Sequence, residues 1–298
     1  MYDILILGAG PAGISAGIYA VSRGQKALVL EQAQVGGIIG KVSTVTHYTA
    51  LENQETGASF AQRMKEQALR AGVEIAYETV TEVDLVGEVK TVRTDKGVHQ
   101  ARRVILANGG TPRKLGIPGE KELAGKGMGM NAARDGAAYT GKNIYVVGGA
   151  DGAVKEALYL SSLARQMTII HFEDQLGCIA EFRQKVAAAG NITLRLASRL
   201  HGVYGQDQVE RLEIANLRDG SIETIEDPGC GIFVYAGLTP NTQLYTQLTL
   251  QDGYIPTNEK METAIPGVYA AGDIRVKQVR QVATAVSDGA IAAINAAL

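Results

Sequence analysis

Two strand–glycine turn–helix units, opening at Gly8 and Gly148, predict an α/β protein built from two Rossmann-like dinucleotide-binding domains. Each is expected to be a three-layer ββα arrangement, and the 298-residue length accommodates two such domains, the second inserted in the first. In the first unit an apolar strand over residues 3–7 feeds Gly8-Ala9-Gly10-Pro11-Ala12-Gly13, with a helix expected over 14–20. Gly8 allows the tight turn, Gly10 lets backbone approach a pyrophosphate, and Gly13 lets helix and strand pack closely. Phosphates at such a turn face the helix N-terminus, where unpaired N–H groups and the dipole favour anions. A second strand, residues 27–30, runs into Glu31, placed to bond a ribose hydroxyl.

The second unit departs from this pattern. Its strand, residues 143–147, feeds Gly148-Gly149-Ala150-Asp151-Gly152-Ala153, so Ala150 stands where backbone would approach a pyrophosphate. The following strand, 167–171, leads into Phe172-Glu173-Asp174. A 2′-phosphorylated nucleotide calls for arginine near that point. An acid pair disfavours NADPH but suits an unphosphorylated ribose, which leaves NADH open. A fold that has kept its shape and lost its ligand fits the residues equally well.

Between and after the turns the pattern is nested. A helix is expected over 57–71, and strands over 73–77, 80–86 and 89–94. The turn-rich stretch 109–119 reads as a crossover, and the chain returns after Gly237-Leu238-Thr239-Pro240-Asn241-Thr242. The expected boundaries are 1–111 with 242–298 for the outer domain and 112–241 for the insert. A last strand, 267–271, runs into Gly272-Asp273, and a final helix starts near Gln281.

Composition excludes several classes of function. A net charge of −2 with scattered Lys and Arg argues against nucleic acid or a membrane surface as partner. No apolar run reaches 18 residues and Asp3 interrupts the first strand, so neither signal peptide nor membrane span is expected and the chain reads as cytosolic. Cys178 and Cys230 are too few for a disulfide scaffold, and small buried side chains are their expected role. His47, His99, His171 and His201 show no ligand spacing, so no metal site is expected.

The C-terminal segment Gly272-Asp273-Ile274-Arg275, followed by Arg280-Gln281-Val282-Ala283-Thr284-Ala285 and Asp288-Gly289, resembles the FAD-closing motif of low-molecular-weight thioredoxin reductases. These are class II FAD-dependent pyridine nucleotide-disulfide oxidoreductases. The first glycine turn, Gly36-Gly37, the stretch Thr111 to Glu120 and Glu156-Ala157-Leu158 match that family too. The resemblance implies a homodimer with FAD in the outer domain. It places Gly8, Gly10, Pro11, Ala12, Gly13, Glu31, Gln32, Gly36, Gly37, Ile38, His47, Val80, Ala107, Asn108, Gly109 and Gly272 around that FAD. Asp273 would bond the ribitol chain, and Arg280, Gln281 and Val282 would lie along the isoalloxazine ring.

The same resemblance exposes three departures. Where the family carries Cys-x-x-Cys before Asp-Gly, this chain reads Asn131-Ala132-Ala133-Arg134-Asp135-Gly136. Asn131 and Arg134 cannot exchange disulfides, which requires an attacking thiolate. Asp135 matches the family's proton-handling acid, and Arg134 would put a permanent cation where the second sulfur faces the ring. The other departures are Ala150 and the Phe172-Glu173 pair in place of the basic residues that hold NADPH. His47 precedes Tyr48-Thr49-Ala50 where the family has Asn, an aromatic and Pro-Gly. The catalytic candidates are therefore Arg134, Asp135, Asn131 and His47. The expected activity is electron transfer through FAD without a redox disulfide, and disulfide reduction of thioredoxin is not expected. Ferredoxin-linked flavin reductases, similar relatives that lost the NADPH arginines but keep the dithiol, suggest ferredoxin, flavodoxin or another small redox protein as donor. An NAD(P)H-dependent flavin reductase or oxidase, and a non-catalytic FAD-binding docking protein, are the alternatives.

Overall fold

The computed structural model describes residues 1–129 and 131–298. The chain forms two compact units, Met1–Thr111 with Thr239–Leu298, and Pro112–Leu238.

The outer unit opens with β1 (Tyr2–Leu7), α1 (Pro11–Ser22), β2 (Ala27–Glu31), α2 (Gly57–Arg70), β3 (Glu74–Tyr77), β4 (Val80–Asp84), β5 (Lys90–Thr94), β6 (Val98–Leu106) and the short connecting β7 (Gly110–Pro112). Its sheet runs β3-β2-β1-β6-β5-β4. The β1, β2 and β3 pairings and the β1–β6 pairing are parallel. Strand β6 forks. Its first half lies antiparallel to β5, while Val104, Ile105 and Leu106 pair in parallel with a strand from the far end of the chain, described below.

The period of two along β1 sorts its side chains into two cores. Ile4 and Ile6 join Val29 and Ile105 under the helices, while Leu5 and Leu7 join Leu28, Leu30, Leu85 and Val92 on the opposite face. The sheet is thus covered on both faces, as parallel strands require. Helix α2 starts at a Thr56–Ser59 capping box, in which the Thr56 hydroxyl accepts from Ser59 N–H and Ser59 Oγ accepts from Thr56 N–H.

The inserted unit comprises β8 (Met128–Gly129), α3 (Ala132–Asp135), β9 (Asn143–Val147), α4 (Asp151–Ser161), β10 (Gln166–Ile170), α5 (Ala180–Ala188), β11 (Ile192–Arg195), β12 (Ser198–Tyr204), β13 (Arg211–Asn216), β14 (Ile222–Glu226) and β15 (Gly231–Val234). A parallel sheet β11-β10-β9-β15-β8 carries α4 and α5 against Ile144, Val146, Met167, Ile169 and Phe233. The antiparallel sheet β12-β13-β14 shares a core with Tyr145, Val147, Ile170 and Ile232. This is the same three-layer plan as the outer unit.

The returning strand β16 (Leu238–Pro240) pairs with β7. The chain ends with β17 (Val268–Ala270), the partner of the β6 fork, and α6 (Val282–Ala296), which packs on α1. Among the described residues no helix is long and apolar enough to cross a membrane, and no group of three His, Cys, Asp or Glu side chains is placed to hold a metal ion.

Candidate functional site

The first glycine turn is built by close approaches that only glycine permits. Gly8 has φ +103° and its N–H bonds to Leu30 O. A Cβ there would fall 2.7 Å from Ala107 O and Asn108 Cα, so the end of β6 lies directly on the turn. A Cβ on Gly13 would fall 1.8 Å from Gly8 O, which is the close helix–strand packing the motif calls for. Gly10 differs: a Cβ there would meet nothing within 4 Å. The glycine therefore opens onto space at the N-terminus of α1. Gly36 N–H bonds to Ala9 O, and Gly37 lies with its Cβ direction 3.4 Å from Gly10 Cα, so the Gly36-Gly37 loop shares this end of the sheet. Pro11 and Ala12 form the first turn of α1 behind it.

Glu31 closes the other side. Its Oε2 accepts from Ala9 N–H and its Oε1 from Ala33 N–H, both at 2.9 Å. Each carboxylate oxygen keeps acceptor capacity beyond one bond, which is what a ribose hydroxyl needs. Gln32 and Ile38 are exposed nearby in sequence, and His47 is an exposed loop residue whose Nδ1 lies 2.9 Å from Thr46 Oγ1. Val80 packs against the core on the sheet face opposite the helices. Ala50, where the resembling family has glycine, adopts φ +61°.

Asn108 is bonded within the protein at both ends of its amide. Its Nδ2 donates to Asn241 O, its Oδ1 accepts from Tyr245 Oη at 2.6 Å, and Asn241 Nδ2 donates back to Asn108 O. Tyr245 is fully buried. Asn108 and the adjoining Gly109, at φ +54°, thus fasten the outgoing strand to the returning one. The Asn108 amide makes one bond at each end within the protein, and each end keeps capacity for a second.

The Gly272-Asp273 turn sits at the end of β17. Gly272 has φ +79°, and a Cβ on it would lie 2.9 Å from Ala12 Cβ, so the turn abuts α1 beside the glycine turn. Asp273 Oδ1 is buried and has no hydrogen-bond partner within the chain. Burial pushes this carboxyl up, partly offset by the charges of Lys277 and Arg280. Arg280 donates from Nε to Asp273 O at 3.4 Å and stacks its guanidinium 4.2 Å above the Tyr254 ring. Gln281 is the N-cap residue of α6, its N–H bonded to Thr284 Oγ1, and Val282 begins the helix.

These residues fit an FAD. Gly10 leaves open space at a helix N-terminus, Glu31 offers lone pairs at the ribose position, and Asp273 holds an orphaned buried acceptor close to both helices. A buried polar atom without a partner is uncommon and calls for an explanation. A hydroxyl-bearing ligand supplies one.

The inserted unit repeats the turn with different chemistry. Gly148 has φ +133° and bonds through N–H to Ile170 O, as Gly8 does to Leu30 O. Ala150 has φ −82° and ψ 174°, close to the −72° and −176° of Gly10, so within its own turn it puts a methyl group where Gly10 has only hydrogen. The residue after Ile170 is His171, which therefore stands where Glu31 stands in the outer unit. Its ring lies against Gly149, its Nε2 is 3.1 Å from Glu173 Oε2, and its Nδ1 is buried without a partner. Phe172 is exposed, with the Arg199 guanidinium 5.7 Å from its ring. Asp174 pairs with Arg218. The second unit thus has a methyl group at the position of Gly10 and a carboxylate beside the position of Glu31. Spacing gave no reason to single out His171; only the strand register reveals its place.

Residues 131–136 are bonded to one another, and Ala132 N–H donates to Tyr235 Oη outside the segment. Asn131 caps α3, its Oδ1 accepting from Arg134 N–H and its own N–H bonding to Asp135 Oδ2 at 3.0 Å. The Arg134 guanidinium forks onto Asp135, with Nε to Oδ1 at 2.6 Å and the second donor to Oδ2 at 3.0 Å. The Arg134 side chain is two-thirds exposed, and the Asp135 carboxylate raises its pKa further. Both cysteines are free and buried. Burial pushes the Cys178 thiol up, and burial with the nearby Asp227 charge pushes Cys230 up to about 12. Thiols held in the protonated form are poor nucleophiles.

Fold and site together define a two-domain dinucleotide-binding oxidoreductase. The sequence pattern of the pyridine nucleotide-disulphide oxidoreductase family spans residues 2–289, and the chain belongs to that family. It is 39% identical to the thioredoxin reductase of Peptoclostridium acidaminophilum, over 99% of this chain and 96% of that one. The crystal structure of Lactococcus lactis thioredoxin reductase superposes with a TM-score of 0.95 at 34% identity, covering 99% of this chain and 98% of the other. A ferredoxin-flavin thioredoxin reductase from Clostridium acetobutylicum is 29% identical with a TM-score of 0.54, over 99% and 96% of the two chains.

Proposed function

We propose that this chain is an FAD-dependent oxidoreductase of the thioredoxin-reductase type that passes electrons through its flavin without a redox disulfide. The observation that carries this reading is the 131–136 segment, where Asn131 and Arg134 replace the dithiol and are tied into their own hydrogen-bond network. Neither cysteine offers a substitute, since both are buried and Cys230 is strongly protonated.

In this reading the first glycine turn and the α1 N-terminus hold the pyrophosphate, Glu31 a ribose hydroxyl, and Asp273 the ribitol chain. Bound there, FAD supplies both one- and two-electron transfer. The protein's part is to position it and set the surrounding charge. A small electron carrier is the proposed donor, supported by the poor fit of the second turn to NADPH and by similarity to a ferredoxin-linked reductase. A homodimer is the proposed assembly.

One observation favours a second reading. The second turn keeps its backbone shape, and residues 172–174 after its second strand carry no arginine for a 2′-phosphate, so an NADH-dependent flavin reductase is the competitor. Anaerobic stopped-flow mixing of the purified flavoprotein with reduced ferredoxin, NADH or NADPH separates them. Rapid loss of flavin absorbance with ferredoxin alone is the expected result. Rapid loss with NADH establishes the competitor, and loss with none of the three leaves a non-catalytic flavin-binding docking protein.

A further inference from the structure

Asp288 is a buried carboxylate on α6, 4% exposed, that the sequence motif contains without assigning it a task. Its Oδ2 accepts from Gly272 N–H at 3.0 Å, from Arg275 Nε at 2.8 Å and from Lys277 Nζ at 2.6 Å, and its Oδ1 accepts from the Arg275 fork at 2.9 Å. One side chain thus grips both flanks of Asp273: the backbone just before it and the two cations that follow. The next residue, Gly289, sits so close to α1 that a Cβ on it would fall 2.0 Å from Ala12 O. Ser15 Oγ donates to Val286 O on the same contact. The carboxylate therefore hangs from the part of α6 that is fixed against the first turn of α1.

The charges are unequal. Two partly buried cations, Arg275 and Lys277, meet one anion at Asp288, and the Lys277 charge also acts on Asp273. A helix-packing contact alone would need neither two cations nor a bond to the Gly272 amide. Charge-assisted hydrogen bonds are the strong ones, and four on one side chain hold a short turn in a single geometry.

We infer that Asp288 is a positioning residue for the flavin: it fixes the Gly272–Ile274 turn so that the unpaired Asp273 Oδ1 is held toward the ligand in register with the Gly8–Gly13 turn. The inference rests on FAD binding by the outer unit. Asp288 does not touch the ligand and acts through Gly272, Arg275 and Lys277. Lys277 also keeps a positive charge near Asp273, which partly offsets the burial that pushes its carboxyl up.

The test compares FAD affinity with the stability of the apoprotein. Asp288→Asn keeps an acceptor for Gly272 N–H but strands the two cations, so Lys277→Met/Asp288→Asn is made beside it to remove one cation together with the anion. FAD fluorescence quenching is measured at a temperature where circular dichroism shows each apoprotein folded. Affinity at least tenfold below wild type in the folded variants is expected. Combining Asp288→Asn with Asp273→Ala should cost less affinity than the product of the two single losses, because both act on one contact. Affinity within twofold of wild type, with only the apoprotein melting temperature lowered, assigns Asp288 to helix packing and overturns the inference. Wild-type protein that takes up no FAD overturns the underlying reading instead, so the two failures are told apart.

Discussion

His171 in the inserted unit stands at the strand position that Glu31 holds in the outer one. Both follow the residue whose carbonyl accepts the first amide of the glycine turn, Leu30 for Gly8 and Ile170 for Gly148. Glu31 answers the turn with a carboxylate that accepts from Ala9 N–H, whereas His171 lays a ring on Gly149 and passes the acid on to Glu173. One fold thus carries two opposite side-chain solutions at the same strand position.

That contrast predicts nucleotide choice. Calorimetric titration should show NADPH binding more weakly than NADH, because Glu173 places negative charge where a 2′-phosphate would lie. Phe172→Arg/Glu173→Arg should narrow or reverse the difference. NADPH binding tighter than NADH in the wild type contradicts the assignment.

Asp273 leads to a second expectation. Its buried, unpartnered Oδ1 is the acceptor proposed for the ribitol chain. Asp273→Ala should be purified with much less than one FAD per chain, read from the flavin-to-protein absorbance ratio. Full flavin content in that variant removes Asp273 from the site.

The two-unit α/β fold was legible because it rests on local signals. Short apolar strands such as Ile4 to Leu7, and glycine turns that open helices, announce themselves within a few residues. What the sequence hid were partners set by tertiary register. Asn108 is bonded by Asn241 and Tyr245, partners more than 130 residues along the chain that no local pattern announces. Asp288 read as part of a motif, and its grip on Gly272 appears only once α6 is packed. The β6 fork is invisible for the same reason: two different strands share one edge of a segment whose polar first part and apolar end give no sign of it.

Asp288 also fixes a pH dependence. Burial opposes its charge, but the hydrogen bonds and charges of Arg275 and Lys277 prevail and hold the carboxyl below the ordinary range. A depressed folded-state value means that its stabilisation is present above the unfolded value of about 4 and is lost as pH falls below it. The melting-temperature gap between wild-type and Asp288→Asn apoproteins should be wide at pH 7 and shrink below pH ~4. A gap that stays constant across this range refutes the ionised network.

Electron transfer should be indifferent to thiol chemistry. Cys178 and Cys230 are each buried, and their thiols are pushed toward the protonated form. Cys178→Ser/Cys230→Ser should keep the wild-type rate of flavin reduction by its best donor, and native protein treated with iodoacetamide should do the same. A large loss of rate in a folded double variant would bring a cysteine back into the mechanism.

Ala50 supplies the last expectation, on stability. Its φ of +61° lies in the left-handed region, where a Cβ crowds the following carbonyl oxygen. That conformation costs an L-residue roughly 1–2 kcal/mol, while glycine there would forfeit about 0.4–1 kcal/mol through its freer unfolded chain. The two terms oppose each other and the strain is the larger. Ala50→Gly should therefore raise stability by roughly 0.5–1 kcal/mol in denaturant melts of the apoprotein. Tyr48, two residues before, packs edge-on against Phe60 at 5.5 Å, so the loop is anchored and the strain is not relieved by simple displacement. A destabilised Ala50→Gly protein would show that Ala50 is unstrained in solution.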